Sequence, residues 1–157
     1  MLKKIVLITT LLFTTTYADT KVSVNKTSNK SIVKKKTLSG KNLVVFVNSG
    51  DLQQAGMGFG IALSGVNQGA NVTIVIGANA IKYAQKEGSQ NIYFAKEKTL
   101  RELIQESIKG GATVQLCSAN TEIMALDEED FIDGAKIVIS PQIFKKVFEE
   151  GTRVISF

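Results

Sequence analysis

The sequence predicts a single-domain α/β fold, a three-layer sandwich with helices on both faces of a mostly parallel sheet of about five strands. Three observations carry that expectation. Short apolar runs alternate with amphipathic segments from Leu43 to the C-terminus, the pattern of repeated strand–helix–strand units. The runs are continuously apolar, as in strands covered on both faces. The stretch that holds them, about 115 residues, suits one compact domain.

Leu43 to Val47 is the first apolar run. After it, Ala55, Phe59, Ala62, Leu63 and Val66 recur at helical spacing, and Gly69 is the expected stop. Asn71 to Ile76 reads as a second strand, closed by Gly77. A short helix through Ile81 and Ala84 should follow, then a looser stretch to Glu97. Thr99 and Glu102 have the spacing of a capping box, in which each satisfies a backbone donor of the other. The helix they open carries Leu100, Leu103, Ile104 and Ile108 on one face and ends at Gly110 and Gly111. Thr113 to Cys117 is the next strand. Asp127 to Asp130 should begin another short helix, because acidic side chains favour a positive helix end. Ala135 to Ile139 is a further strand, and Ser140 and Pro141 are expected to cap a helix with Ile143, Phe144, Val147 and Phe148 inward. Gly151 stops that helix, and Arg153 to Ser156 is the final short strand.

The front of the chain reads as something other than this domain. Lys3 and Lys4, the apolar stretch Ile5 to Phe13, and small residues at Thr16 and Ala18 have the organisation of a secretory signal peptide over residues 1–18. The apolar core is short of the roughly 20 residues that span a bilayer, so an uncleaved anchor is the weaker alternative. A mature chain beginning at Asp19 would be periplasmic or secreted. Residues 19–41 hold seven lysines against Asp19, with Ser, Thr and Asn between them, a composition that cannot bury enough apolar surface to fold alone. A solvated tether is expected there, or a patch making weak contact with an anionic membrane surface or a partner. From Asn42 onward ten Lys and Arg face thirteen Asp and Glu, so the domain of residues 42–157 is mildly acidic although the whole chain is formally +5. Nucleic-acid binding fits poorly with that sign and with export.

Cys117 is the only cysteine, and it stands where an apolar strand runs out. In an open parallel sheet the carboxyl edge is where ligands bind. The turns Asn48 to Asp51, Gly77 to Asn79, Ser118 to Asn120, and Ser140 should share that edge with it. Two readings stand side by side: a reactive thiolate, or a small apolar filler. The absence of histidine from the chain removes Cys-His and Ser-His-Asp nucleophile systems. One cysteine without histidine cannot complete a zinc tetrahedron, and the acidic run at Asp127 lacks the spacing of a calcium loop. Gly56, Gly58 and Gly60 lie inside a helix, spaced GxGxG, and suit close packing of that helix better than phosphate binding. Tyr83, Tyr93 and Phe94 would wall a pocket or, preferably, mark an assembly surface. A lone thiolate can still exchange with a sulfur–sulfur bond, which needs only access and a leaving group.

The segments GATVQLCSAN, LDEEDFIDGA and GTRVISF, with the first strand and its Ser49-Gly50 loop, resemble the DsrE/DsrF-like family, which includes sulfur-relay proteins of the TusD type. The similarity runs from Leu43 to Phe157. It implies a DsrE-like, flavodoxin-like α/β fold that assembles into homo-oligomers. It also implies a cysteine, here Cys117, that carries sulfane sulfur as a persulfide between donor and acceptor proteins or small sulfur species, with no resident cofactor. Asn48, Ser49, Gly77 and Asn120 are the candidates for lining its pocket. The expected export sets this chain apart from a cytosolic tRNA-thiolation relay. The alternative is a non-enzymatic module of the same fold, binding a small ligand or assembling, with a packed cysteine.

Overall fold

The computed structural model describes residues 37–88, 92–93 and 95–157, all within one compact unit, Lys34–Phe157. The expected signal peptide, most of the basic tail and Phe94 lie outside the described residues. The last part of the tail, residues 37–41, is tied to the domain. There the Leu38 N–H donates to Gln68 O, and the Asn71 N–H donates to Lys41 O.

Five strands form one parallel sheet: β1 (Asn42–Val47), β2 (Asn71–Ile76), β5 (Thr113–Cys117), β6 (Ala135–Val138) and β7 (Thr152–Ser156). Their spatial order is β6-β5-β2-β1-β7. The chain steps in one direction from β1 through β2 and β5 to β6, then crosses back to the far side of β1. Right-handed crossovers put the connecting helices of opposite steps on opposite faces. Accordingly α1 (Leu52–Asn67) and α2 (Leu100–Lys109) cover one face, while α4 (Ser140–Val147) crosses the other. The six-residue α3 (Ser118–Ile123) follows β5 directly.

Strand alternation divides the core. Val45, Val47, Ile74, Ile76, Val114 and Leu116 join Phe59, Leu103 and Ile104 under α1 and α2. Val44, Val75 and Val138 meet Ile143 under α4, a much smaller cluster. The central strands are thus apolar on both sides, which is why their sequences show no alternation.

Local signals set most element ends. Asp51 Oδ1 accepts from the N–H groups of Gln53 and Gln54 at 3.0 and 2.9 Å, capping α1. The capping box of α2 forms as its spacing implies: Thr99 Oγ1 accepts from Glu102 N–H at 3.2 Å, and Glu102 Oε2 accepts from Thr99 N–H at 2.7 Å. The Thr99 N–H and the Thr99 hydroxyl, which donates to Glu102 Oε2 at 2.9 Å, together with nearby Lys98, hold the Glu102 carboxyl below its ordinary value. The glycines of α1 serve packing. A Cβ on Gly56 would come within 2.5 Å of the Tyr93 ring, and one on Gly58 within 2.8 Å of Val47 Cγ2.

Several expectations are corrected. Tyr83 and Tyr93 are not on an assembly surface but buried, at 3% and 6% exposure. Tyr93 lies on α1 at Gly56, in a small hairpin of β3 (Ile92–Tyr93) and β4 (Lys98–Thr99) within the stretch expected to be loose. Tyr83 meets Phe59 edge-on. The helix expected through Ile81 and Ala84 is a 3₁₀ segment, Ala78–Tyr83, and the acidic run forms only a 3₁₀ turn, Glu128–Asp130. Ile139 ends the strand early and caps α4, its N–H donating to Gln142 Oε1, so Ser140 and Pro141 are the first helical residues. Of the four residues expected inward on α4, Ile143 is buried and Val147 partly so, but Phe144 and Phe148 face outward. Ile143 and Val147 lie one turn apart on the row that meets the sheet, and Phe144 and Phe148 form the next row, about 100° round the helix.

Candidate functional site

The carboxyl ends of the strands do gather the expected turns, and β1, β2 and β5 supply the residues that meet. Beyond Val47, the Asn48 N–H donates to Phe157 O at 2.9 Å, which ties the start of the β1–α1 turn to the chain terminus. Ser49 Oγ accepts from the Asp51 N–H at 3.1 Å, so this hydroxyl is committed to shaping the turn. Beyond Ile76, Gly77 donates to Val47 O at 3.0 Å. A Cβ on Gly77 would stand 2.7 Å from Asn48 Oδ1 and 3.2 Å from Asn120 Oδ1. Asn48, Gly77 and Asn120, nominated from three separate turns, are therefore brought together, whereas Ser49 belongs to the turn beside them.

Asn120 Oδ1 also accepts from the Ala78 N–H at 3.0 Å, bridging α3 to the β2 turn. That bond holds Ala78 at a φ of +43°, a left-handed conformation that costs a non-glycine residue roughly 1–2 kcal/mol. Strain of this kind persists where the surroundings over-determine the backbone, and it clusters at functional sites.

Cys117 occupies the same edge. Ile76 and Leu116 are register partners on adjacent strands, so Gly77 and Cys117 are the next residues outward on each, and Cys117 pairs on its other side with Val138. The thiol is half-buried and unpaired by any disulfide. The backbone of Cys117 is the N-cap of α3, but its side chain makes no capping bond. By alternation it belongs to the α4 face of the sheet, opposite to Val114 and Leu116. The arrangement is a half-buried cysteine at the carboxyl edge of the sheet, with chemistry limited to what a thiol does without histidine.

Lys82 at this edge and Gln115 within β5 were missed from the sequence, and the bond that Tyr83 makes here was missed with them. Lys82 Nζ and Tyr83 OH both donate to Gly50 O, at 2.8 and 2.7 Å, and fix the β1–α1 turn from the 3₁₀ segment. The Lys82 ammonium also lies 5.0 Å from the Tyr83 ring centre, within cation–π range. No local pattern announces these bonds, because they join residues more than thirty positions apart. Gln115 did leave a signal, as an amide in the middle of an apolar strand. It is 8% exposed, shares the Cys117 face, and its Oε1 is buried without a hydrogen-bond partner. Such an acceptor typically costs about 1–3 kcal/mol.

Among the described residues no cluster of three or more Cys, Asp or Glu side chains is placed to hold a metal ion, and no helix is long and apolar enough to cross a membrane.

No family model matches the chain. It is 29% identical over 96 residues to the uncharacterized protein MJ0989 of Methanocaldococcus jannaschii, a stretch covering 61% of this chain and 80% of that protein. Its structure is similar to that of the ychN protein from E. coli, with a TM-score of 0.64 at 12% identity over 74% of this chain and 99% of the other. It is similar also to MTH1491 from Methanobacterium thermoautotrophicum, a protein of unknown function, with a TM-score of 0.61 at 13% identity and the same coverages. The two structural likenesses show a DsrE-like α/β fold.

Proposed function

We propose that this protein is an exported sulfur carrier that holds sulfane sulfur as a persulfide on Cys117. The observation that carries the reading is the position of its single thiol, half-buried at the carboxyl edge of the sheet beside Gly77 in a DsrE-like fold. The Cys117 thiolate attacks the outer sulfur of a donor persulfide or polysulfide. One sulfur–sulfur bond forms, the donor's bond breaks, and the donor thiolate leaves with the electron pair. An acceptor thiolate then takes the outer sulfur and expels the Cys117 thiolate. Both steps are exchanges, so neither needs an outside oxidant or a histidine base. Gln115 offers an unpaired acceptor on the face to which Cys117 belongs. Asn48, Gly77 and Asn120 would line the approach.

Assembly is part of the proposal. The Phe144 and Phe148 rings lie 6.1 Å apart on the outer side of α4, and Val154, register partner of the α4-face Val44, is exposed as well. Lys145 and Lys146 followed by Glu149 and Glu150 make this helix end self-complementary for antiparallel pairing with a second copy.

The test is the intact mass of the purified protein after brief incubation with polysulfide, beside Cys117→Ser. Mass gained in steps of one sulfur atom on wild type alone, reversed by reductant, is expected. Equal loading of both proteins, or none on a thiol that labels freely in the native state, would sink the reading. The competing reading is a ligand-binding module on the same edge, favoured by the strained Ala78 held by Asn120. It predicts a small molecule that copurifies with wild type and Cys117→Ser alike.

A further inference from the structure

At the opposite end of the strands, where β1 and β7 begin, a cavity of about 400 Å³ opens beside the 37–41 turn. We propose that it binds a small organic anion with an apolar body, a carboxylate or sulfonate carried on an alkyl or aryl group.

The apolar walls are Leu38, Leu43 and Ala70, and the charged lining is Lys41 and Arg153. Leu43 and Arg153 are register partners on β1 and β7, so the two kinds of lining are held side by side by the sheet itself. The end of α1 closes one flank, since a Cβ on Gly65 would touch Leu43 at 3.2 Å and Ala70 at 4.0 Å. Volume and composition match small-molecule sites, which run to roughly 300–1,000 Å³ with apolar walls and a few polar groups.

The charges are what point to an anion. Among the described residues neither Lys41 nor Arg153 makes an ion pair. Glu149, close by in sequence to Arg153, is engaged elsewhere, accepting from Asn42 Nδ2 at 3.3 Å and from Lys146 Nζ at 3.4 Å. Glu150 is exposed in the turn before Gly151. Two unpaired cations on one hollow of a domain that is acidic from Asn42 onward make a local focus of positive potential. The guanidinium can grip a carboxylate or sulfonate with two parallel bonds, and the lysine adds a mobile point charge. The apolar walls leave the body of such a ligand, and not a second charged group, to fill the rest. This site stands apart from Cys117 and does not rest on the sulfur reading.

The experiment is a fluorescence titration of the full chain with anilinonaphthalenesulfonate, followed by displacement with decanoate. Saturable binding that weakens with added salt is expected, with a loss of roughly tenfold or more in affinity in Arg153→Gln and in Lys41→Gln. Phe148→Ser should bind as wild type does. Both charged side chains are exposed, and circular dichroism would verify that the variants fold. Undiminished binding in the double charge variant would overturn the proposal, as would loss of binding in Phe148→Ser, which would put the probe on the α4 face. Absence of binding at millimolar probe would overturn it too.

Discussion

On the face covered by α1 and α2, Phe59, Ile74, Leu103 and Leu116 are fully buried, whereas on the face crossed by α4 Phe144 and Phe148 are 56% and 81% exposed. Both faces belong to the same strands, and both receive Val and Ile from them. The difference lies in how much helix is available to cover each. Three consecutive crossovers run in one direction and leave their connections on one side, while a single return crossover leaves one eight-residue helix for the other. The first face supplies the stability of the domain. The second is left with aromatic surface, an unpaired Gln115 acceptor and the half-buried Cys117, which are features of a face that meets something else.

Substitutions can break or sharpen that contrast. Phe59→Ala removes a fully buried ring from the α1 face and should cost about 3–5 kcal/mol in denaturant unfolding. Gly56→Ala, which forces a methyl into the Tyr93 ring, should cost about 1–3 kcal/mol by the same assay. Phe148→Ser, at a dilution where the chain is monomeric, should fall within about 0.5 kcal/mol of wild type. If α4 pairs with a second copy as proposed, light scattering should meanwhile show smaller assemblies than wild type. A Phe148→Ser as damaging as Phe59→Ala would erase the distinction between the faces.

The smallest effect concerns the α2 cap. Thr99 and Lys98 depress the Glu102 carboxyl, so its contribution is fully present above the ordinary value of 4.5 and is lost as pH falls through the depressed folded value. Unfolding measured from about pH 6 down to about pH 3 should show an acid-dependent loss in wild type that is reduced in Glu102→Gln. An identical pH profile for the two would mean the capping box contributes nothing measurable.

The candidate site was legible in part. Asn48, Gly77 and Cys117 could be nominated because each stands where an apolar run ends, and Asn120 because it lies in the turn just beyond Cys117; strand ends in a parallel sheet share an edge. Ser49 was nominated by the same rule, yet its hydroxyl is turned to the Asp51 N–H, a choice that local turn geometry makes. The bonds of Lys82 and Tyr83 to Gly50 escaped because they span more than thirty residues. The cavity between Lys41 and Arg153 was hidden for the same reason, joining residues 112 positions apart through the pairing of β1 with β7.

What the sequence determined by itself was the class of the fold and many of the ends of its elements. Continuous apolar strands and the Thr99–Glu102 box are local physics, written in spacing and residue type. What only the tertiary structure decided was the use of each surface. Tyr93 is buried because Gly56 leaves room for its ring, and Phe144 and Phe148 are exposed because α4 lies alone on its face. Periodicity marks an apolar stripe, but the order β6-β5-β2-β1-β7 decides whether there is a neighbour to cover it.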